Sequence, residues 1–371
     1  MTYVPDSRTR LSYPINITGS QPPVIMFSSN NARIAWERRL NHPRLFKIIK
    51  IIWNIVKLII CTILLIPLGI FWVLEKLCQF AILPASFISE RLSPKTVENI
   101  KISSNSNLQH LLNVKEISSF KHVVMQYDDL TIDSLSIEIP NAHPNRWILF
   151  SQGNCGTIEK HFNEESDVLE LAKATRSNIL MFNYPGVMSS RGSVTRENLI
   201  KSYQACVRYL RDENQGPKAN QIIAYGYSLG TSIQAAALDR EITDGSDKIK
   251  WILIKDRGPR SFADVAFQFY KPLACIVKLL GWNIDSTKYS EKLLCPEIFI
   301  YNSDNNDNLI GDGLFNKETC FAAPFLDPDR KKPPGNKIPV PEQELLHYDS
   351  LSTSALSRVA KIVSEYLDAE D

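Results

Sequence analysis

The sequence predicts an α/β fold, a mostly parallel sheet flanked by helices, preceded by an apolar segment. Three observations predict it. From residue 147 onward, short apolar runs alternate with segments of helical period, the pattern of strand–helix–strand crossovers. The runs are apolar at successive positions rather than at every second one, as expected of strands covered on both faces. Polar, glycine-containing clusters follow the runs, and the carboxyl ends of parallel strands are where such sheets carry their sites.

The chain of 371 residues is 44% hydrophobic, enough for one large α/β domain with additional segments. A formal net charge of +2 gives no basis for a nucleic-acid partner. Seven cysteines are scattered along the chain without a C-x-x-C pair, and no H-E-x-x-H occurs, so neither a metal nor another cofactor is expected. Cys206, on an apolar helix face, and Cys295, ahead of a strand, read as small buried hydrophobes in a reduced, mostly cytosolic domain.

Residues 1–47 form a polar, basic tail: Met1 to Lys57 holds nine Lys or Arg against two acids. Residues 48–83 read as a membrane segment. Between Lys57 and Glu75 lie seventeen uncharged residues, just sufficient at about 1.5 Å per residue to cross a hydrocarbon layer of about 30 Å. Trp53 and Trp72 suit the interfaces. Two geometries compete. A single span with its basic end inside places the following domain outside the cytosol. A re-entrant hairpin bent at Pro67-Leu68-Gly69 keeps Lys47, Lys50, Lys57, Glu75 and Lys76 at one surface by snorkelling. The segment starts too far in for a secretory signal and lacks a small-residue cleavage site.

Residues 84–118 are expected to link this segment to the domain. Partial alternation over 120–125 and 130–139, broken by Tyr127-Asp128-Asp129, predicts an antiparallel hairpin at the sheet edge. Buried strands follow at 147–151, 178–182, 222–225, 251–254 and 297–301. Helices are expected over 159–174, 197–211, 231–238 and 354–367. Residues 261–293 are apolar and helical, and 302–313 are loop-like. Residues 324–341, with six prolines, read as an irregular insertion.

The stretch Ile222-Ile223-Ala224-Tyr225-Gly226-Tyr227-Ser228-Leu229-Gly230-Thr231 reads as strand, sharp turn and helix start. It matches G-x-S-x-G, in which a strained turn lifts the Ser hydroxyl clear of the sheet. Glycines at −2 and +2 leave room for strand and helix to pass closely. A Ser hydroxyl needs a base, and the base an orienting acid. Of six histidines (42, 110, 122, 143, 161 and 347) only His347 lies beyond the last expected strand. His161 is expected inside a helix and exposed. The acid should follow the 297–301 strand, from Asp304, Asp307 or Asp312. Asp307 is favoured because Leu309-Ile310 could anchor its loop, Asp304 is second, and Asp256 is a further alternative. Oxyanion donors are expected from the backbone N–H of Leu229 and, in the loop Gln152-Gly153-Asn154-Cys155-Gly156, of Asn154.

With these residues in place the chain resembles the α/β-hydrolase superfamily over residues 119–371. Ser228, Asp307 and His347 follow its chain order. Gly153-Asn154-Cys155-Gly156 resembles its G-N-x-G oxyanion loop, Asn183-Tyr184-Pro185-Gly186 its N-Y-x-G segment, and Cys295-Pro296 its usual lead-in to the late strand. Gln152 stands where many members have His. Together with the basic N-terminus and apolar segment, these motifs resemble the CHLPS family of chlamydiae and related intracellular bacteria. The resemblance implies a membrane-associated serine hydrolase cleaving an ester or thioester of a small, lipid-like acyl substrate through an acyl-enzyme, with 261–293 as a helical cap. A peptidase is not separated from this. The alternative is a catalytically inactive fold acting as a membrane-anchored interaction module, which a His347 ring far from Ser228 would favour.

Overall fold

The computed structural model describes residues 24–26, 34, 37, 42–63, 66–161, 166–330 and 336–369. Most of the 1–47 tail, and residues 331–335 of the Pro-rich segment, therefore lie outside the described residues. The α/β part is built on strands β1 (Val24–Met26), β2 (Ser119–Tyr127), β3 (Leu130–Glu138), β4 (Arg146–Ser151), β5 (Asn178–Phe182), β6 (Gln221–Tyr227), β7 (Lys250–Asp256), β8 (Glu297–Ser303) and β9 (Lys337–Gln343). They form one sheet in the order β1-β2-β3-β5-β4-β6-β7-β8-β9. The expected hairpin β2–β3 is antiparallel, as is β3 to β5. From β5 to β9 every neighbouring pair is parallel.

The unbroken apolar runs reflect two covered faces. Along β6, Ile222 and Ala224 join the core that holds Leu199, Val207 and Ile233, from helices Arg196–Arg211 and Leu229–Leu238. Ile223 and Tyr225 join the opposite core, with Leu171, Val359 and Val363 from helices Asp167–Thr175 and Thr353–Asp368. Period-two alternation sends successive side chains to opposite faces, so apolar residues are required at every position. The helix starts follow from capping: the Thr195 and Ser352 hydroxyls accept from the Asn198 and Ala355 N–H groups, each at 3.1 Å. Cys206 and Cys295 are buried as expected.

Four expectations are corrected. The helix expected over 159–174 starts only at Asp167, because residues just ahead serve a loop: the Ile158 N–H donates to the Asn183 side chain at 3.0 Å, and Glu159 is buried against the Asn183 amide at 3.1 Å. His161 is thus outside any helix and half-buried, its ring edge-on to Phe150 at 4.8 Å. Residues 84–118 are not a plain linker. They hold helices Pro84–Arg91 and Pro94–Asn113, the second capped by Ser93 and started by proline, whose absent N–H is not needed there. Leu108 of that helix is fully buried in the domain core.

The end of the Pro-rich stretch is also ordered, as β9. The Glu297 N–H donates to the Asn336 carbonyl at 2.8 Å, so even-numbered residues of β9 turn their backbone groups to β8. Pro339 and Pro341 therefore face away from β8, toward the sheet edge, where a missing N–H breaks no ladder bond. The 261–293 region divides into helices Phe262–Phe269, Lys271–Leu279 and Ser286–Ser290.

Residues 48–83 form most of two helices, Pro43–Ile63 and Ile66–Ile82. Residues 64–65 between them lie outside the described residues, and Pro67-Leu68-Gly69, where a bend was expected, fall within the second helix. Among the described residues no single helix is long and apolar enough to cross a membrane. Gly69–Ile82 and Pro84–Arg91, turned by 97° to one another, are so only as a pair. Ile48, Ile51, Ile52, Trp53, Ile55 and Leu58 are each 49–59% exposed, leaving an apolar surface uncovered. The second helix docks on the α/β body: the Trp282 indole donates to Glu75 at 2.9 Å and Cys78 enters the core, followed by Leu83 and by Ala85 of the next helix.

Candidate active site

The turn after β6 is the strained one its sequence requires. Ser228 has φ 50° and ψ −119°, a conformation that a non-glycine residue rarely adopts. It is held there by its own N–H, which donates to the Asp256 carbonyl at 2.9 Å, and by the Thr231 N–H and hydroxyl on its carbonyl at 3.1 and 2.7 Å. Both flanking glycines are obligatory. A Cβ on Gly226 would lie 2.8 Å from the Thr231 backbone, and one on Gly230 2.0 Å from the Ser151 carbonyl oxygen.

The structure brings Ser228 and His347 together. The Nε2 of His347 lies 2.9 Å from the Ser228 hydroxyl oxygen. On its other side, Nδ1 lies 2.7 Å from a carboxylate oxygen of Asp312. A carboxylate only accepts, so Nδ1 carries the proton and Nε2 is left as the acceptor facing Ser228. Exposure is 5% for Ser228 and 2% for His347, with Asp312 as buried as the histidine, so the three side chains meet in a nearly water-free setting.

Asp307 is the carboxylate expected beside His347, and in the structure Asp312 stands there instead. Asp307 is exposed at a turn with φ 61°, and what it contributes is its carbonyl, to the Tyr301 hydroxyl at 3.1 Å. Asp304 caps the same turn, accepting from the N–H groups of Asn306 and Asn308 at 2.8 and 3.0 Å, and the Asn308 side-chain bond helps hold its pKa below the ordinary value. The chain then folds back, with the Ile310 N–H on the Asn302 carbonyl and the Asn302 amide on that of Gly311. Only at Asp312 does the loop reach the histidine. One Asp312 oxygen accepts the N–H groups of Leu314 and Phe315 at 3.0 and 2.7 Å, which aims the other at His347. The His347 N–H also donates to the Asp312 carbonyl at 2.7 Å. The available signal was the Gly311-Asp312-Gly313 sandwich, with Gly313 at φ 86°.

Both expected oxyanion segments border the serine. Leu229 opens helix Leu229–Leu238, where the first N–H groups lack intrahelical partners. The Gln152–Gly156 loop abuts this serine: a Cβ on Gly153 would sit 3.4 Å from that of Ser228. The carbonyl of Asn154 accepts the Ala85 N–H at 3.3 Å, tying this loop to helix Pro84–Arg91. Gln152, in the place where His is usual, is buried and donates to the Phe182 carbonyl and the Asn183 side chain at 3.2 and 3.3 Å. Burial, with Asp133 nearby, raises the pKa of Glu159, which anchors the far side of Asn183.

Three residues around the site were given no role by sequence. Phe315 packs edge-on to the His347 ring at 4.9 Å. Gln268, from helix Phe262–Phe269, donates to the Leu314 carbonyl at 3.0 Å and accepts the Asn316 N–H at 3.0 Å, bracing the acid loop. Arg257 is buried beside Asp256, the further alternative for the acid, and its guanidinium reaches the loop of His347. Burial works against that charge, but the Asp256 carboxylate prevails and holds the pKa above its ordinary value. Among the described residues no group of three or more His, Cys, Asp or Glu is placed to hold a metal ion.

Comparison with known proteins agrees with this architecture. The family model described as Chlamydia CHLPS protein (DUF818) matches residues 15–368. No curated protein matches. Among solved structures, an alpha-beta hydrolase from Vibrio vulnificus is 13% identical with a TM-score of 0.51, covering 80% of this chain and 92% of that one, a likeness of fold. An esterase of Pyrococcus furiosus is 16% identical with a TM-score of 0.48, covering 67% of this chain and 91% of that one. An esterase of Pyrobaculum calidifontis is 14% identical with a TM-score of 0.48, covering 75% and 95%.

Proposed function

The chain belongs to the Chlamydia CHLPS protein (DUF818) family, and from that premise we propose that it is a membrane-associated serine hydrolase acting on an ester or thioester. The observation that carries the reading is the relay Ser228–His347–Asp312, with contacts of 2.9 and 2.7 Å. In this reading His347 takes the proton from Ser228 as the oxygen attacks the acyl carbon. Asp312 stabilises the imidazolium so formed, and the N–H groups of Leu229 and Asn154 receive the oxyanion. The leaving alcohol or thiol takes the proton back from His347. Water, activated by the same histidine, then releases the acid from Ser228.

A lipid-like acyl substrate is favoured by the surroundings. Phe267 and Phe269 are 52% and 65% exposed on the first of the cap helices, so apolar surface stands beside the acid loop that Gln268 braces. The exposed apolar residues of helices Pro43–Ile63 and Ile66–Ile82, among them Ile48, Ile52, Trp53, Phe71 and Trp72, with Lys47, Lys50, Lys57 and Lys76 beside them, suit insertion into a bilayer with the ammonium groups at its surface. A histidine remote from the serine would have favoured the reading as an inactive interaction module, and the 2.9 Å contact gives that reading no such support.

The test is covalent labelling of the purified full-length chain with a fluorophosphonate. Labelling that disappears in Ser228→Ala supports the hydrolase; labelling unchanged in that variant, or absent from the wild type, removes it. Flotation with anionic phospholipid vesicles tests the membrane part separately. A chain that stays at the bottom of the gradient refutes that part alone.

A further inference from the structure

The loop that carries His347 has little structure of its own. It leaves β9, the last strand of the sheet order, through Glu344 at φ 55° and reaches helix Thr353–Asp368 with no helix or strand between. A base delivered by such a loop needs an external reference if its Nε2 is to sit 2.9 Å from the serine. We infer that Arg257 supplies it, as a positioning residue that sets His347 against Ser228; the inference rests on the hydrolase reading.

Arg257 follows directly on β7, one of the central strands. Its Nε and Nη2 donate to the two oxygens of Asp256 at 2.7 and 3.1 Å, which locks the guanidinium plane. The remaining Nη1 donates to the carbonyls of Leu346 and Asp349 at 2.9 and 2.5 Å, so one nitrogen grips the chain on both sides of His347. Tyr227, with its ring 5.0 Å from the guanidinium carbon, gives its hydroxyl to the carbonyl of His347 itself at 2.5 Å. The loop is therefore pinned at 346, 347 and 349 to residues at the ends of β6 and β7.

Asp256 closes the argument. Its carboxylate fixes Arg257, and its carbonyl accepts the Ser228 N–H at 2.9 Å. Nucleophile and base are thus referred to the same residue, which sets their separation. A buried ion pair is poor evidence of stabilisation, since apolar side chains of equal volume often serve as well. What apolar packing cannot do is bridge two carbonyls three residues apart, and that is the use made of this charge.

The experiment compares wild type, Arg257→Ala and Arg257→Lys as full-length proteins in hydrolysis of p-nitrophenyl butyrate, with circular dichroism as the check of folding. Lysine retains the charge beside Asp256 but cannot chelate it and reach both carbonyls. The expected result is a fall in kcat on the order of 10- to 100-fold in the folded Lys variant, with KM within about twofold. Added guanidinium ion, below denaturing concentration, restores part of kcat in Arg257→Ala. A folded Lys variant with wild-type kcat overturns the inference. So does a change confined to KM, or a finding that neither variant folds, which assigns Arg257 to stability alone. Wild type without activity refutes the hydrolase reading instead, so the two failures are distinct.

Discussion

Replacing Asp312 by Asn tests the acid most sharply, because the structure dictates how the amide will sit. One oxygen of Asp312 already accepts two backbone N–H groups, from Leu314 and Phe315. An amide NH2 cannot replace that oxygen without facing two donors, so the Asn oxygen stays on the turn and the NH2 takes the position 2.7 Å from Nδ1 of His347. That NH2 donates, so Nδ1 must accept and the imidazole proton moves to Nε2. There it confronts the Ser228 hydroxyl at 2.9 Å, and the base can no longer take a proton from it. The wrong tautomer in this arrangement lowers kcat by about 10⁴, equivalent to about 5 kcal/mol of barrier. Steady-state hydrolysis of a p-nitrophenyl ester by Asp312→Asn and Asp307→Asn reads the difference. Asp307 is exposed and engaged through its carbonyl, so its variant should keep activity within about twofold. Near-normal kcat in Asp312→Asn, with loss in Asp307→Asn, refutes the assignment.

Two further outcomes follow from local geometry. In Gly230→Ala the new Cβ meets the Ser151 carbonyl oxygen at 2.0 Å and its carbon at 2.6 Å, both backbone atoms of a central strand. Destabilisation of about 3 kcal/mol is expected, lowering Tm by roughly 6–12 °C in a thermal melt; an unchanged Tm contradicts the close packing. Burial lowers the pKa of His161 from 6.5 to about 4, so the folded state resists protonation that the unfolded state accepts. The unfolded chain binds more protons between those values, and stability declines as pH falls from 6.5 toward 4. Urea titrations at pH 7 and pH 5 should show the loss in wild type and a smaller one in His161→Phe; identical pH slopes for the two proteins refute the contribution.

Much of the fold was legible because the relevant physics is local. Apolar runs of strand length, periodic helical faces and capping hydroxyls each act over a few residues, and the central strands β4 to β8 lie where the pattern predicts. What was missed depends on remote partners. Helix Pro94–Asn113 has a mixed surface and earns its place by docking Leu108 into the core. Strand β9 carries two prolines and reads as irregular until β8 is beside it, with both prolines turned outward. The segment around 159 is helical by composition, yet the Ile158 N–H and the Glu159 carboxylate are claimed by Asn183, 25 and 24 positions away.

The same division holds at the site. The elbow at Ser228 was legible in the sequence through its two glycines: Gly226 relieves a clash with the Thr231 turn itself, while Gly230 makes room for Ser151 at the end of the neighbouring strand β4. The eligible histidine also followed from order along the chain. The choice among Asp304, Asp307 and Asp312 did not, because three carboxylates in one polar loop are chemically equal until the loop folds. Tertiary structure made that choice by folding the chain back through Asn302, placing two backbone N–H groups on one oxygen of Asp312, and bringing in an edge strand to deliver His347. The loop contacts span no more than nine positions, but they select Asp312 only once β9 pairs with β8 and brings in a histidine 35 positions away, and partners that distant lie outside any window of neighbouring residues.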